Sequence, residues 1–191
     1  MKKYLLLITL LFGLESIYAQ HISFMGIQLG QSEKTVDRML LQKGFKYDGN
    51  VTYSQNKRYK GPFWIFDEVI MSSEIENGKV TAINISPIIG TYEQMSDYNY
   101  LIRNLDKKYG RNHPISQYFK YSDIADNEGN YWKVSGGYIV AYYVNKPYSE
   151  KIMIYLCYID NTNKRILLEQ GRKRNKNNDL KVTGGQSLVT Y

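Results

Sequence analysis

The residues in this 191-residue chain that could do chemistry are two histidines, one cysteine, scattered carboxylates and nineteen tyrosines. His21 and His113 have no Asp, Glu or Cys at metal-ligand spacing, so the sequence predicts no metal site and no cofactor. His113 precedes Pro114 and reads as a loop residue. Cys157 lies in the β-type run Ile152–Ile159 with no basic neighbour to activate it. It reads as a small buried hydrophobe, not a nucleophile. Neighbours along a strand point to opposite faces, so Asp67 and Glu68 are no ready acid/base pair. Glu74 and Glu76 share a face, and they read as a solvated edge instead of a hydrolytic dyad. No Gly-x-Ser-x-Gly, phosphate loop or His-Glu-x-x-His is present, so no catalytic residue is assigned.

Tyrosine offers a rigid apolar ring with a polar tip and suits recognition surfaces. Tyr138, Val140, Tyr142 and Val144 alternate onto one face of a strand, and Ile139, Ala141 and Tyr143 onto the other. A helix covering the smaller aliphatic face leaves Tyr138 and Tyr142 on the open one. Trp132 and Trp64 suit the core by type, and complete the set of candidate binding aromatics with Tyr138 and Tyr142.

The elements that must position these residues follow from periodicity. Ser32 suits an N-cap, Val36, Met39 and Leu40 fall at helical spacing, and Gly44 suits a left-handed stop, predicting a helix near 33–43. Tyr98, Leu101, Ile102, Leu105 and Tyr109 predict a second over 93–109, closed by Gly110. Phe24–Leu29 reads as a short strand. Val51–Tyr59, Phe63–Ile75, Val80–Ile85, Gln117–Tyr121, Asn130–Ser135, Tyr138–Val144 and Lys151–Ile159 read as sheet. Asn77-Gly78 predicts a tight hairpin, and Gly136-Gly137 a second. The expected fold class is α+β, two helices on antiparallel sheet, arranged as two similar helix-then-meander halves at 20–90 and 91–163.

Lys2 and Lys3, the apolar run Tyr4–Leu14 and small Ala19 have the order of a secretory signal peptide over 1–19. The run is shorter than the ~20 residues that span a bilayer, so no transmembrane segment is expected once it is removed. The predicted compartment is periplasmic or extracellular. The formal charge of +7 is concentrated: residues 164–191 hold seven Lys and Arg against two acidic residues. The body is near neutral, which argues against a nucleic-acid partner. The segment 164–191 reads as a basic, mostly disordered tail, in which Ile166, Leu167 and Leu168 could end a short helix and 171–191 is the mostly disordered part.

Ile22-Ser23-Phe24-Met25-Gly26-Ile27, Lys43-Gly44-Phe45, Lys107-Lys108-Tyr109-Gly110 and Ile154–Asp160, ending near Asn178-Asp179-Leu180, together resemble an uncharacterised family of small exported proteins of Bacteroides-type bacteria. In architecture alone the chain is similar to beta-lactamase-inhibitor-like and outer-membrane assembly lipoprotein folds. Those resemblances imply an interaction module and carry over no functional residue. The expected function is an exported, non-catalytic binding module presenting a tyrosine-rich sheet face to a protein or peptide. The alternatives are an envelope hydrolase acting on glycan or peptide, its carboxylates gathered only in the fold, and a structural envelope component tethered by the basic tail.

Overall fold

Asn77 and Gly78 both take positive φ, 52° and 73°, as a type I′ turn requires. They join strands β5 (Phe66–Glu76) and β6 (Lys79–Pro87). The computed structural model describes residues 21–51, 56–64, 66–87, 94–120, 122–145, 148 and 150–183, with side chains to residue 175 apart from those of residues 67 and 87. The expected signal peptide lies outside the described residues.

A two-stranded ribbon, β1 (Ser23–Phe24) and β2 (Ile27–Gln28), opens the described chain. One continuous strand was expected there; Met25 and Gly26, at φ 48° and 77°, fold it into a hairpin instead. Helix α1 (Glu33–Gln42) starts at Ser32, whose hydroxyl accepts from the Thr35 N–H. Strands β3 (Lys46–Asn50) and β4 (Lys57–Phe63) lead to the β5–β6 hairpin. Helix α2 (Met95–Tyr109) follows, then β7 (His113–Pro114), a 3₁₀ turn (Ile115–Gln117), β8 (Glu128–Val134), β9 (Gly137–Asn145), β10 (Ile152–Asp160) and helix α3 (Lys164–Thr183). Of the segment expected as strand at Gln117–Tyr121, Gln117 ends that 3₁₀ turn and residues 118–120 belong to no strand, while Tyr121 lies outside the described residues.

The eight strands β3 to β10 form one antiparallel sheet in the order β3-β4-β5-β6-β10-β9-β8-β7. Two four-stranded meanders therefore meet at their last strands, with Leu156 opposite Ile85 and Ile159 opposite Ala82. This overturns the expectation of two helices on a sheet. Among the described residues there are three helices and a large, dominant sheet, and the third helix occupies residues assigned above to a basic, mostly disordered tail.

The third helix changes what the sheet faces are for. One face packs on α1 through Val36 and Leu40, on α2 through Leu101 and Leu105, and on the β1–β2 ribbon through Phe24 and Ile27. The opposite face carries a second, smaller core. There Ala82, Val140, Cys157 and Ile159 lie beneath Ile115, Phe119 and Ile124 of the segment after β7, and beneath Ile166 of α3. β10 records where that cover stops. Ile152 to Leu156 alternate buried and half-exposed, whereas Leu156 to Asp160 are buried throughout.

The ribbon is pinned by Asp160, which is fully buried. Its Oδ2 accepts from the Ile22 N–H at 3.2 Å and lies 3.0 Å from His21 Nδ1. Its Oδ1 accepts from the Thr162 N–H and hydroxyl at 3.0 and 2.7 Å. Four partners are what a buried carboxylate needs.

Candidate functional site

The half of the second face that α3 leaves uncovered is set by strand parity. Tyr59, Val69, Met71 and Ile85 turn inward and are buried, so Arg58, Lys60, Ile70, Ser72, Glu74, Asn84 and Ser86 turn outward and are half-exposed. Lys60 stands opposite Ile70, and Ile70 opposite Ser86. Leu156 is opposite Ile85, so the same cross-sheet row continues through Tyr155, which pairs with Tyr142.

Tyr142 and Tyr155 stack nearly parallel, 4.9 Å apart at 13°. The next position across the sheet is Gly129. A Cβ there would come within 2.7 Å of Tyr142 Cα and 2.3 Å of the Ala141 carbonyl oxygen, so only glycine permits the strands to close beside this ring. Burial pushes the Tyr142 hydroxyl pKa well above the ordinary range. The group therefore stays a neutral donor and acceptor at any physiological pH.

Beside the tyrosines lies a polar cluster. Glu74 Oε1 accepts from Asn84 Nδ2 and from Arg165 Nη2, both at 2.6 Å. Asn163, itself buried, donates to Glu74 Oε2 at 3.2 Å and to the Thr81 hydroxyl at 3.0 Å. Arg165 Nη1 lies 4.0 Å from Asp123 Oδ2. Burial alone would lower the Arg165 pKa; Glu74, with Cys157, Asp123 and Tyr142 adding, outweighs it and raises the value. A cleft of about 280 Å³, lined by Asn56, Glu74, Glu76, Asp123, Lys164 and Arg165, opens next to this cluster. Further along the face, Asp48 takes Arg58 Nε at 2.9 Å and Lys60 Nζ at 3.2 Å.

The cluster brings two carboxylates together, as a hydrolase would need. Both line this cleft and face the same guanidinium, Glu74 at 2.6 Å and Asp123 at 4.0 Å, so the two share Arg165 as their cation. Among the described residues, no group of three His, Cys, Asp or Glu side chains is placed to hold a metal. Cys157 is buried, and burial pushes its thiol up to about 12, so the thiolate a nucleophile needs is not formed near neutrality.

Of the four aromatic candidates, the structure brings none of the others to Tyr142. Tyr138 was expected on the open face, but it is 3% exposed. It lies under Tyr118 and Phe119, with ring centres at 4.6 and 5.7 Å, because α3 and the segment after β7 cover that end of the sheet. Trp132 is 1% exposed, and its indole N–H donates to Asp106 Oδ1 and the Gly110 carbonyl, each at 3.0 Å. It is a core anchor with no ring surface left for a ligand. Trp64 is 43% exposed, at φ 55° in the turn after β4, and lies flat on Phe63 at 5.2 Å. Phe63 belongs to the core of the opposite face, so Trp64 stands apart from Tyr142. Sequence reasoning missed Tyr155 and Arg165. Alternation along Met153, Tyr155 and Cys157 was a signal for the first; Arg165 sits at the start of what read as the basic tail and gave none.

No helix among the described residues is long and apolar enough to cross a membrane. No family model, curated protein or solved structure matches this chain.

Proposed function

We propose that the protein is an exported, non-catalytic binding module, periplasmic or secreted, that holds a protein or peptide on the uncovered half of its sheet. The observation that carries this reading is the Tyr142–Tyr155 stack. It is a rigid apolar platform with donor–acceptor tips, continued across the sheet by Lys60, Ile70 and Ser86 and flanked by Asn84 and Arg165. Aromatic rings and arginine amid half-exposed polar groups are the composition of recognition surfaces. Export rests on the order of residues in 1–19.

The test is panning of a displayed random-peptide library against the wild type and a Tyr142→Ala, Tyr155→Ala variant. Tyr47→Ala serves as control, since Tyr47 is 54% exposed on β3, on the opposite sheet face. Peptides enriched on the wild type should lose at least tenfold in affinity for the double variant and bind the control as before. Equal binding to all three proteins sinks the reading.

A further inference from the structure

Three ammonium groups converge at one corner of the second core, on residues the binding face does not use. Lys173 of α3 holds its Nζ 3.4 Å from the centre of the Tyr118 ring. That ring is wedged against Tyr138 at 4.6 Å, Phe119 at 5.0 Å and Tyr131 at 5.8 Å. Lys133 stands on β8 opposite Tyr138, and strand parity puts it on the same face as Tyr131. Lys120 follows Phe119 directly; Lys120 and Lys133 are both exposed. His113, also exposed, sets its ring 5.5 Å from Tyr131 on the edge strand.

The Lys173 pKa is lowered, chiefly by burial; Glu169 opposes this, while Lys120 and Lys133 deepen it. Glu169 is fully buried and receives the Ser122 N–H at 3.1 Å, so the carboxylate that answers Lys173 is turned into the protein. The outward side of this corner is cationic. The rest of α3 extends the same sign, with Lys164, Arg172, Arg174, Lys176 and Lys181 against Asp179. Leu167 and Leu168 are 52% and 41% exposed on the same helix.

We propose that this corner docks the protein on an anionic lipid surface, with Lys120, Lys133 and Lys173 among the phosphate head groups. The chemistry matches in three respects. Lysines on flexible stems, spread over three elements, fit a planar array of charges better than one fixed ion. Tyrosine rings beside lysines are the residue mixture of membrane interfaces. A net positive helix adds attraction over about a Debye length, roughly 10 Å. The proposal stands independently of the Tyr142–Tyr155 face.

The experiment is flotation of the full chain lacking residues 1–19 with vesicles of phosphatidylcholine alone or doped with phosphatidylglycerol. Binding should require the anionic lipid and disappear at high salt. With each lysine worth about fivefold, the Lys120→Gln, Lys133→Gln, Lys173→Gln variant should bind about a hundredfold more weakly. The Lys120→Gln, Lys133→Gln pair leaves the Lys173–Tyr118 contact intact, and should lose about tenfold or more with an unchanged melting temperature. A charge-matched control, Lys34→Gln, Lys43→Gln, Lys79→Gln, should bind as the wild type does, and so should Tyr142→Ala, Tyr155→Ala. The proposal is overturned by equal loss in the two triple variants, by binding to heparin or inorganic phosphate without binding to vesicles, or by binding that ignores lipid charge.

Discussion

Tyr138 and Tyr142 sit four residues apart on one strand face, yet the structure gives them opposite roles, which makes their alanine variants a direct test of the fold. Tyr138 is buried against three aromatic rings, Tyr118, Phe119 and Tyr131, and burial pushes its hydroxyl pKa far up. Removing a ring of this size from a closed core costs about 3–5 kcal/mol. Tyr142 is half-buried, at the margin of the second core, and stacks on Tyr155. Its loss forfeits one aromatic pair and part of a ring's burial, about 1 kcal/mol. Urea unfolding separates the two. With a slope of about 2 kcal/mol/M, Tyr138→Ala should lower the midpoint by about 2 M and Tyr142→Ala by about 0.5 M, with the slope unchanged. Similar shifts for both, or a Tyr138→Ala shift under about 0.5 M, would show that α3 and the segment after β7 do not close over this end of the sheet. The division into a covered and an uncovered half would then fall with them.

Other perturbations follow from named contacts. Cys157 is raised from 9.0 to about 12, and Tyr98 from 10.0 to about 12, each chiefly by burial. Both groups are neutral when protonated, so the folded state holds their protons more tightly than the unfolded chain. That stability is whole below pH 9 and falls as pH rises toward 12, by about 1.4 kcal/mol per pH unit for each group once its unfolded form titrates. Urea midpoints should hold to pH 9 and then drop, and Cys157→Ala should flatten the first part of the drop. Asp160→Ala strands the Ile22 and Thr162 N–H groups and should cost about 3 kcal/mol, with faster hydrogen exchange at Ile22 as the local readout. Arg165→Met leaves Glu74 facing Asn84 and Asn163 without its cation and should cost about 2–3 kcal/mol. Adding Glu74→Leu should recover at least half of that in a thermal melt, since a buried pair is worth little against apolar replacements.

Local signals carried far along this chain. Ser32, Gly44 and Asn77-Gly78 were readable because each acts within a few residues: a cap bond, a left-handed stop, a type I′ turn. Helix α2 was readable because Tyr98, Leu101 and Leu105 repeat at its period and are its buried residues. What could not be read was which strand lies beside which. The β6–β10 junction joins residues more than seventy apart in sequence, and the parity of Tyr155 means nothing until Tyr142 is known to stand opposite. The extent of helix α3 was missed for a related reason. Among its described side chains the one fully buried apolar contact, Ile166, is nonlocal, and the other anchors named above are polar: Arg165 on Glu74, Glu169 on the Ser122 N–H, Lys173 on Tyr118. A segment held by pairings with distant partners looks disordered when read alone. Tyr138 was misplaced by the same omission, because its face was judged open before its cover was known.

The uncovered half of the sheet is a surface in its own right, not a core waiting for a missing helix. A third layer laid over it would bury Arg58 and Lys60 with Asp48, and Glu74 with Arg165. Burying charged pairs brings a desolvation penalty that their mutual attraction does not reliably repay. An apolar helix offers Ser72, Asn84 and Ser86 no partners either. Under α3 the contrast is sharp, for Ala82, Val140, Cys157 and Ile159 present only small apolar groups to Ile166. The change in composition falls where the change in cover falls, along β10 between Tyr155 and Cys157. On the proposed binding reading, a partner for the uncovered half brings its own hydrogen-bonding groups and something flat to lie on the Tyr142–Tyr155 stack. A peptide backbone with an occasional apolar or planar side chain supplies both, and a second apolar helix supplies neither.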